Sequence, residues 1–336
     1  MKKIILSAFA ISALTLVSCN TDFERDVNNM TVSTGKADFS KFVSVGNSLT
    51  SGFRDGALYL DGQNESFPSM LAQQMALAGG TQTFTQPLMP NNVGGFTNLY
   101  AASGNTEFYG KLTLSPTLSP TPSAPGANLD VIGGTGKYFN NMGVPGAKSF
   151  HLVTPGYGSA ANLATGKANP YFVRFATSAT TTVLADAAAQ KPSFYTLWIG
   201  NNDVLSYATS GGSGVDQKGN LDPSTYGSND ISDPNVVANV IKTVITSLKT
   251  ANANSKGAIA NIPYVTSIPY FTTVPATPIA GLTATQVSQL NAAYATYNGG
   301  LLTLKNLGAI TTAEYNARLI KFSENGVNGA VIVDKD

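Results

Sequence analysis

Charged side chains are scarce in this sequence. Only 12% of its 336 residues are Asp, Glu, Lys or Arg, and the formal net charge is +1. No basic stripe or acidic tail is present, so the composition gives no indication of a nucleic-acid or polyanion partner. With 43% hydrophobic residues the chain can bury a sizeable core, in one large domain or two small ones. We expect a globular protein whose partner is small or neutral.

Cysteine and histidine are almost absent as well. Cys19 is the only cysteine and His151 the only histidine. This excludes an intramolecular disulfide framework and leaves no histidine pair for a zinc site. The other candidate ligands are Asp55, Asp203, Asp230 and Asp233, which lack the spacing of a calcium loop. The Gly211–Gly214 loop has no phosphate-binding Gly-Lys-Ser/Thr motif, so we expect neither a metal nor another cofactor.

The N-terminus has the pattern of an export signal. Lys2 and Lys3 precede an apolar stretch, residues 4–16, that is too short to span a bilayer. The stretch ends in Leu16-Val17-Ser18-Cys19, which resembles a lipobox. We expect residues 1–19 to be a lipoprotein signal peptide, Cys19 to be lipidated, and residues 20–37 to be a tether to the outer membrane or cell surface. The alternative is an ordinary signal peptide followed by a chance cysteine.

Near the start of the domain, a strand followed at once by a turn is predicted. Residues 39–45 form a short β-branched and aromatic run that ends at Gly46-Asn47. Ser66 then begins a helix, with Pro68 in its first turn. The apolar face of that helix would consist of Met70, Leu71, Met75 and Leu77. Residues 80–135 are rich in Gly, Pro, Thr and Ser, which predicts a long surface insertion.

Further strands and helices alternate along the rest of the chain. Strands are predicted at 194–199, 258–262 and 330–333, and a helix is predicted to start at Asp233-Pro234. Capping boxes at Thr283 with Gln286 and at Thr311 with Glu314 indicate two more helices. This alternation favours an α/β domain with a mostly parallel sheet, whose site lies at the carboxyl ends of the strands. The aromatic residues Tyr264, Tyr270 and Phe271 are expected in the core or at the rim of a cleft.

Three segments contain the residues with recognisable chemistry. The first is Gly46-Asn47-Ser48-Leu49, the second spans residues 141–148 and the third spans residues 197–203. In this order they resemble the first three sequence blocks of the SGNH (GDSL-type) hydrolases. The resemblance implies a three-layer α/β/α fold with a flavodoxin-like sheet over residues 38–336.

The resemblance also implies a role for one residue in each block. Ser48 matches the nucleophile, whose backbone N–H contributes to the oxyanion hole. Gly146 matches the glycine that adds a second N–H, and Asn202 matches the asparagine that adds a side-chain amide. Such donors are needed because the ester carbonyl becomes negatively charged only in the transition state. The implied activity is cleavage of small carboxylic esters, such as a lipid or an acylated glycan, without a cofactor.

Two departures from the family pattern are visible. Asn47 stands where the family usually has Asp, and the C-terminal Asp-x-x-His block is missing. Without an imidazole base, a serine hydroxyl is a weak nucleophile at neutral pH. We consider three explanations: a truncated sequence that is incomplete at its C-terminus, a non-catalytic binding lipoprotein of the cell envelope, and recruitment of His151 as the base.

Overall fold

The computed structural model describes residues 32–80, 83–97, 107–272, 279, 281–324 and 328. These residues fall into two compact units. The first contains the described residues up to 145 together with 154–197 and 244–259, and the second contains 146–153, 198–243 and those from 260 onward. Cys19, the predicted signal peptide and the predicted strand at 330–333 lie outside the described residues.

Short strands and helices alternate along the described chain. The strands are β1 (Phe42–Gly46), β2 (Phe96–Thr97), β3 (Glu107–Phe108), β4 (Leu112–Leu114), β5 (Pro120–Pro122), β6 (Asn141–Gly143), β7 (Phe194–Trp198) and β8 (Lys256–Ile259). The helices are α1 (Ser48–Ser51), α2 (Leu60–Asn64), α3 (Phe67–Leu77), α4 (Pro170–Phe175), α5 (Val183–Ala189), α6 (Asn201–Thr209), α7 (Pro234–Ala251), α8 (Pro269–Thr272), α9 (Ala284–Ala293), α10 (Ala295–Asn306) and α11 (Thr312–Arg318).

A four-stranded sheet with the order β6-β1-β7-β8 forms the centre of the first unit. β1 pairs with β6 in parallel, and β7 pairs with β8 in parallel. All five residues of β1 are buried, as expected for a central strand covered on both faces. The predicted α/β class with a mostly parallel sheet is therefore confirmed.

Two strand boundaries differ from the predictions at 39–45 and 258–262. β1 begins at Phe42 because the Asp38 carboxylate accepts the N–H of Ser40, at 2.8 Å, and turns the chain there. β8 covers Lys256–Ile259 because its register against β7 starts with Phe194 opposite Lys256 and ends with Leu197 opposite Ile259. β7 itself ends at Trp198, one residue after Leu197, instead of at the predicted residue 199. The predicted strand 258–262 therefore starts and ends too late in the chain.

Helix α3 begins where predicted but buries a different face. Ser66 caps it, and Pro68 and Ala72 are its buried residues. The predicted apolar face is wrong, because Met70 and Leu77 are 52% and 68% exposed. The cap itself lies close to neighbouring backbone, since a Cβ on Gly52 would fall 2.3 Å from the Gly62 carbonyl oxygen and 2.9 Å from the Ser66 Cβ.

The segment 80–135 is only partly a surface insertion. Met89 and Phe96 are almost fully buried in an apolar cluster with residues from outside the segment, among them Leu58 and Tyr171. The ring of Phe96 lies 5.3 Å from that of Tyr171. The Gly- and Pro-rich composition concealed these contacts because single apolar residues at irregular spacing give no periodic signal.

Arg174 fixes this segment to helix α4. Its guanidinium is 1% exposed and forms a two-pronged ion pair with Asp130, at 2.6 and 3.2 Å. It also donates to the main-chain carbonyls of Pro87 and Leu88, at 3.0 and 2.9 Å. One buried side chain therefore satisfies acceptors from two separate parts of the segment.

Three predicted helix starts are confirmed. The Asp233 carboxylate caps α7 by accepting the N–H groups of Asn235 and Val236. Thr283 and Gln286 form a complete capping box at α9, and Thr311 and Glu314 form another at α11. These signals are local, so they do not depend on tertiary packing.

The replacement Arg174→Met is expected to lower the free energy of unfolding by about 3 kcal/mol, because it leaves buried acceptors without a donor. Urea denaturation followed by circular dichroism measures the effect. Arg318→Met is the matched control: among the described residues its guanidinium pairs with Glu314 on the surface of α11, at 3.9 Å, and its loss should cost less than about 1 kcal/mol. Equal midpoints for the two variants would contradict the role given to Arg174.

Candidate functional site

Ser48 lies directly after the central strand, as predicted. β1 ends at Gly46, and Ser48 is the first residue of α1. Its carbonyl accepts the N–H of Phe53 and the hydroxyl of Ser51, which closes the turn on its C-terminal side. The Ser48 side chain is partly exposed. The strand is therefore followed, after Asn47, by a serine held in a short, hydrogen-bonded helical turn.

Asn47 serves as the cap of this turn. It is fully buried, and its side-chain oxygen accepts the N–H of Leu49 at 3.1 Å. An aspartate side chain has the same acceptor, so the departure from the family pattern leaves this hydrogen bond intact. What the amide removes is a negative charge buried next to Ser48.

Strand β6 supports the turn from its other side. The Asn141 amide donates to the Thr50 carbonyl at 3.0 Å, and its oxygen accepts the N–H of Gly143 at 3.0 Å. A Cβ on Gly143 would lie 2.3 Å from the backbone nitrogen of Ser51. Only glycine allows this approach, so Gly143 is needed for backbone packing as well as for the sequence block. Asn141 is the first residue of the second sequence block, but its contact with α1 could not be predicted from the sequence.

Gly146 begins the part of the second unit that follows β6 in the chain. Its φ of +79° lies in the left-handed region, and a Cβ placed on it would meet nothing within 4 Å. A side chain here would be strained by about 1–2 kcal/mol although space is available. The backbone conformation therefore requires the glycine.

Asn202 lies against the residue that follows Gly146. Its amide nitrogen donates to the Ala147 carbonyl at 2.9 Å. In the second unit, therefore, the two predicted oxyanion donors come from adjoining segments. Helix α6, which carries Asn202, begins after Gly200, whose φ is +103°.

Asp203 strengthens the same junction. One of its carboxylate oxygens accepts the Ser149 N–H at 2.7 Å, and the other accepts the Ser149 hydroxyl at 2.8 Å. Burial raises the pKa of Asp203, although hydrogen bonds from Ser149 and Ser232 oppose that effect. Asp203 is 1% exposed. It is thus a buried acceptor that fixes Ser149 to α6, whereas the sequence had suggested an isolated carboxylate.

Lys148 is a buried cation that the sequence did not single out. It is 4% exposed, and its ammonium donates to the main-chain carbonyls of Asp230 and Gly227, at 2.7 and 3.4 Å. Burial lowers the pKa of Lys148, whereas the charges of Asp203 and Asp230 oppose the change. Asp230 in turn accepts the N–H groups of Val215 and Gly227, at 2.9 and 2.7 Å. The lysine and Asp230 therefore hold the loop that contains residues 215–230.

The geometry of His151 does not favour its recruitment as the base. His151 lies in a 3₁₀ turn, Ser149–Val153, and its Nδ1 accepts the N–H of Lys148 at 3.0 Å. A neutral imidazole that accepts at Nδ1 carries its proton on Nε2, so neither nitrogen is available to take a proton from a serine. Burial, and then the charge of Lys148, lower the pKa of His151 to about 4. Such an imidazole is also a weak base at neutral pH.

The remaining predicted residues have local roles or are exposed. Asp55 accepts the Tyr59 hydroxyl at 2.5 Å. Tyr264 and Tyr270 are 86% and 65% exposed, so neither packs in the core, and a position at the rim of a cleft stays a prediction. Tyr270 donates to the Thr209 carbonyl at 3.2 Å, and its ring lies 5.0 Å from that of Phe271.

Searches against protein-family models, curated proteins and solved structures found no match for this chain. The similarity to SGNH hydrolases therefore rests on the three sequence blocks themselves. Across the described part of the chain, no helix is long and apolar enough to cross a membrane.

The titration of His151 tests this arrangement directly. Because His151 is the only histidine, its ring protons give the only imidazole signals in the NMR spectrum. We expect them to titrate with a pKa of about 4, because burial disfavours the imidazolium. A midpoint near the unperturbed value of 6.5 would contradict the partly buried, hydrogen-bonded ring.

The same shift affects stability. Between pH 6.5 and 4 the unfolded chain binds a proton that the folded chain does not, so the free energy of unfolding falls by as much as about 3 kcal/mol as the pH decreases. His151→Asn keeps an acceptor for the Lys148 N–H but removes the titration. Urea unfolding at several pH values should therefore show a smaller loss of stability for the variant over this range.

Proposed function

We propose that the chain is a lipid-anchored serine ester hydrolase of the SGNH type. The observation that carries the proposal is the position of the three candidate residues after neighbouring strands. Ser48 follows β1, Gly146 follows β6 and Asn202 follows β7, and these strands are adjacent in the order β6-β1-β7. Ligand sites of open α/β sheets lie at the carboxyl ends of the strands. The mostly parallel sheet is compatible with the three-layer α/β/α fold of that family.

The proposed reaction is acyl transfer through an acyl-enzyme. The Ser48 hydroxyl attacks the ester carbonyl carbon and gives its proton to a base, which later passes it to the departing alcohol. Water then attacks the acyl-enzyme, releases the acid and restores the serine. The N–H groups of Ser48 and Gly146 and the Asn202 amide would stabilise the oxyanion. One hydrogen of that amide is directed at Ala147, which fixes its orientation and leaves the other for the intermediate.

The base is proposed to come from an Asp-x-x-His block beyond residue 336. His151 is the only histidine of the sequence, and its hydrogen bond and lowered pKa make it unsuitable. The genomic DNA after codon 336 provides the test. An in-frame or frame-shifted Asp-x-x-His there supports the hydrolase, whereas a genuine end without one favours the non-catalytic binding lipoprotein.

Export and lipidation at Cys19 complete the proposal. The acyl chains would hold the protein at the outer membrane or the cell surface, where lipids and acylated glycans are candidate esters. A single acyl chain binds a membrane only marginally, but several chains on one residue bind firmly. Mass spectrometry of the purified mature N-terminus tests this part independently of catalysis.

A fluorophosphonate probe should label Ser48 in the protein extended through the Asp-x-x-His block, because the probe reacts only with an activated serine. Labelling is measured by gel fluorescence and located by peptide mass spectrometry. Ser48→Ala should abolish it, and the 336-residue chain alone should show negligible labelling and turnover. Absence of label at Ser48 in the extended protein would overturn the enzyme assignment.

Asn202→Ala in the extended protein should lower kcat about 10²–10³-fold, because it removes one oxyanion donor. Asn201→Ala, which changes the preceding residue of the same helix, is the control and should retain most of the activity. Steady-state hydrolysis of a p-nitrophenyl ester measures both. A similar loss in the two variants would indicate disruption of α6 rather than loss of an oxyanion donor.

A further inference from the structure

The β4–β5 ribbon has one apolar face, which lies near the Gly56 turn at Leu112 and is otherwise not covered by the helices and strands described above. Leu112 pairs with Pro122 and Leu114 with Pro120, so these four side chains share a face, while Thr113 and Thr121 lie on the other. All six residues of the two strands are exposed, and Leu114 is 68% exposed. Such a two-stranded ribbon buries little of its own surface.

The tip of the ribbon exposes another leucine at a conformational cost. Leu118 has a φ of +60°, in the left-handed region that favours glycine and asparagine, and is 75% exposed. The turn is closed by hydrogen bonds from the Leu118 N–H to the Ser115 carbonyl and from the Ser119 N–H to the Ser115 hydroxyl. Glycine would relieve the strain at this position. Because Leu118 is 75% exposed, packing against the described residues does not explain why a leucine stands here.

The outer edge of β5 lacks hydrogen-bond donors. Bonds from Ser115 N–H to Ser119 carbonyl and from Ser123 N–H to Lys111 carbonyl, at 2.9 and 3.0 Å, fix the alternation along the ribbon. That alternation directs the N–H groups of positions 120 and 122 outward, and both residues are proline, which has none. This edge therefore cannot receive a further strand in the usual way.

Charge is also missing from this part of the chain. Residues 112–129 contain no Asp, Glu, Lys or Arg. An apolar face, a leucine tip and an edge without donors all reduce the polar groups that would lose water in an apolar phase. This chemistry fits an acyl-chain boundary better than a charged protein surface.

We propose that the β4–β5 ribbon inserts its leucine face and the Leu118 tip into the lipid surface that carries the protein. The proposal rests on the proposed lipidation of Cys19. Cys19 precedes Val32, the first described residue, by 13 positions, so the connecting chain spans at most roughly 45 Å. The tether is therefore short enough to keep the first unit close to the lipid.

Tryptophan probes on the full protein test the proposal. Leu118→Trp and Leu114→Trp place the probe at the tip and on the apolar face, and Thr113→Trp places it on the opposite face of the same strand. Each is mixed with phosphatidylcholine and phosphatidylglycerol vesicles, with or without brominated acyl chains, and the emission of Trp198 in the unchanged protein is subtracted. Matching far-UV circular dichroism verifies that each variant folds.

The bromolipids should remove about half of the added emission at positions 118 and 114 and little at 113, because an interfacial element lies ~5–10 Å into the headgroup and acyl boundary. Equal quenching at the three positions, or none, overturns the proposal. Emission at 118 that is already blue-shifted without vesicles and is not quenched also overturns it, since the face is then covered by protein.

Vesicle flotation of the unchanged protein tests the proposed lipid anchor at Cys19 separately from insertion of the ribbon. If the protein does not float, lipidation of Cys19 is rejected, and the three probes are compared at saturating vesicle concentration. Stronger quenching at 118 and 114 than at 113 then still supports insertion, and its absence still overturns insertion.

Discussion

Direct contact between two backbones at Gly143 determines where the serine can lie. Strand β6 and helix α1 approach so closely that a methyl group on Gly143 would fall 2.3 Å from the Ser51 nitrogen. The adjacent Asn141 uses both ends of its amide to hold the arrangement, with one partner in α1 and the other in its own strand. The position of Ser48 therefore depends on two residues of the neighbouring strand β6: Gly143, which has no side chain, and Asn141, whose amide is buried.

Polar contacts between segments distant in the sequence hold the second unit together. Asn202, Asp203 and Lys148 connect α6, the segment after Gly146 and the loop around Asp230. Each of these three side chains has partners of complementary character, as buried polar groups require. A charge at Lys148 is tolerated because main-chain carbonyls and two carboxylates surround it. These contacts lie between residues more than 50 positions apart, and this explains why the sequence patterns do not reveal the network.

Local signals in the sequence predicted the fold better than they predicted its packing. The capping boxes at Thr283 and Thr311, the Asp233 cap and the turn after β1 were all found because their partners are at most five residues away. The apolar face of α3 was predicted wrongly, since hydrophobicity alone does not reveal that the smaller Pro68 and Ala72 are buried while Met70 and Leu77 are exposed. The role of Lys148 was not predicted, because its hydrogen-bond partners lie about 80 residues further along the chain. The three blocks gave the candidate site by resemblance, and that assignment is still a proposal.

The lowered pKa of His151 has a consequence for enzymology. An imidazole that stays neutral down to about pH 4 contributes no ionisation to a pH–rate profile in the neutral range. Since the sequence contains no second histidine, an imidazole-type inflection near pH 7 in any longer form would belong to residues that the longer form adds. Because His151 does not titrate in the neutral range, a pH–rate profile alone can assign such an inflection to a base that the longer form supplies.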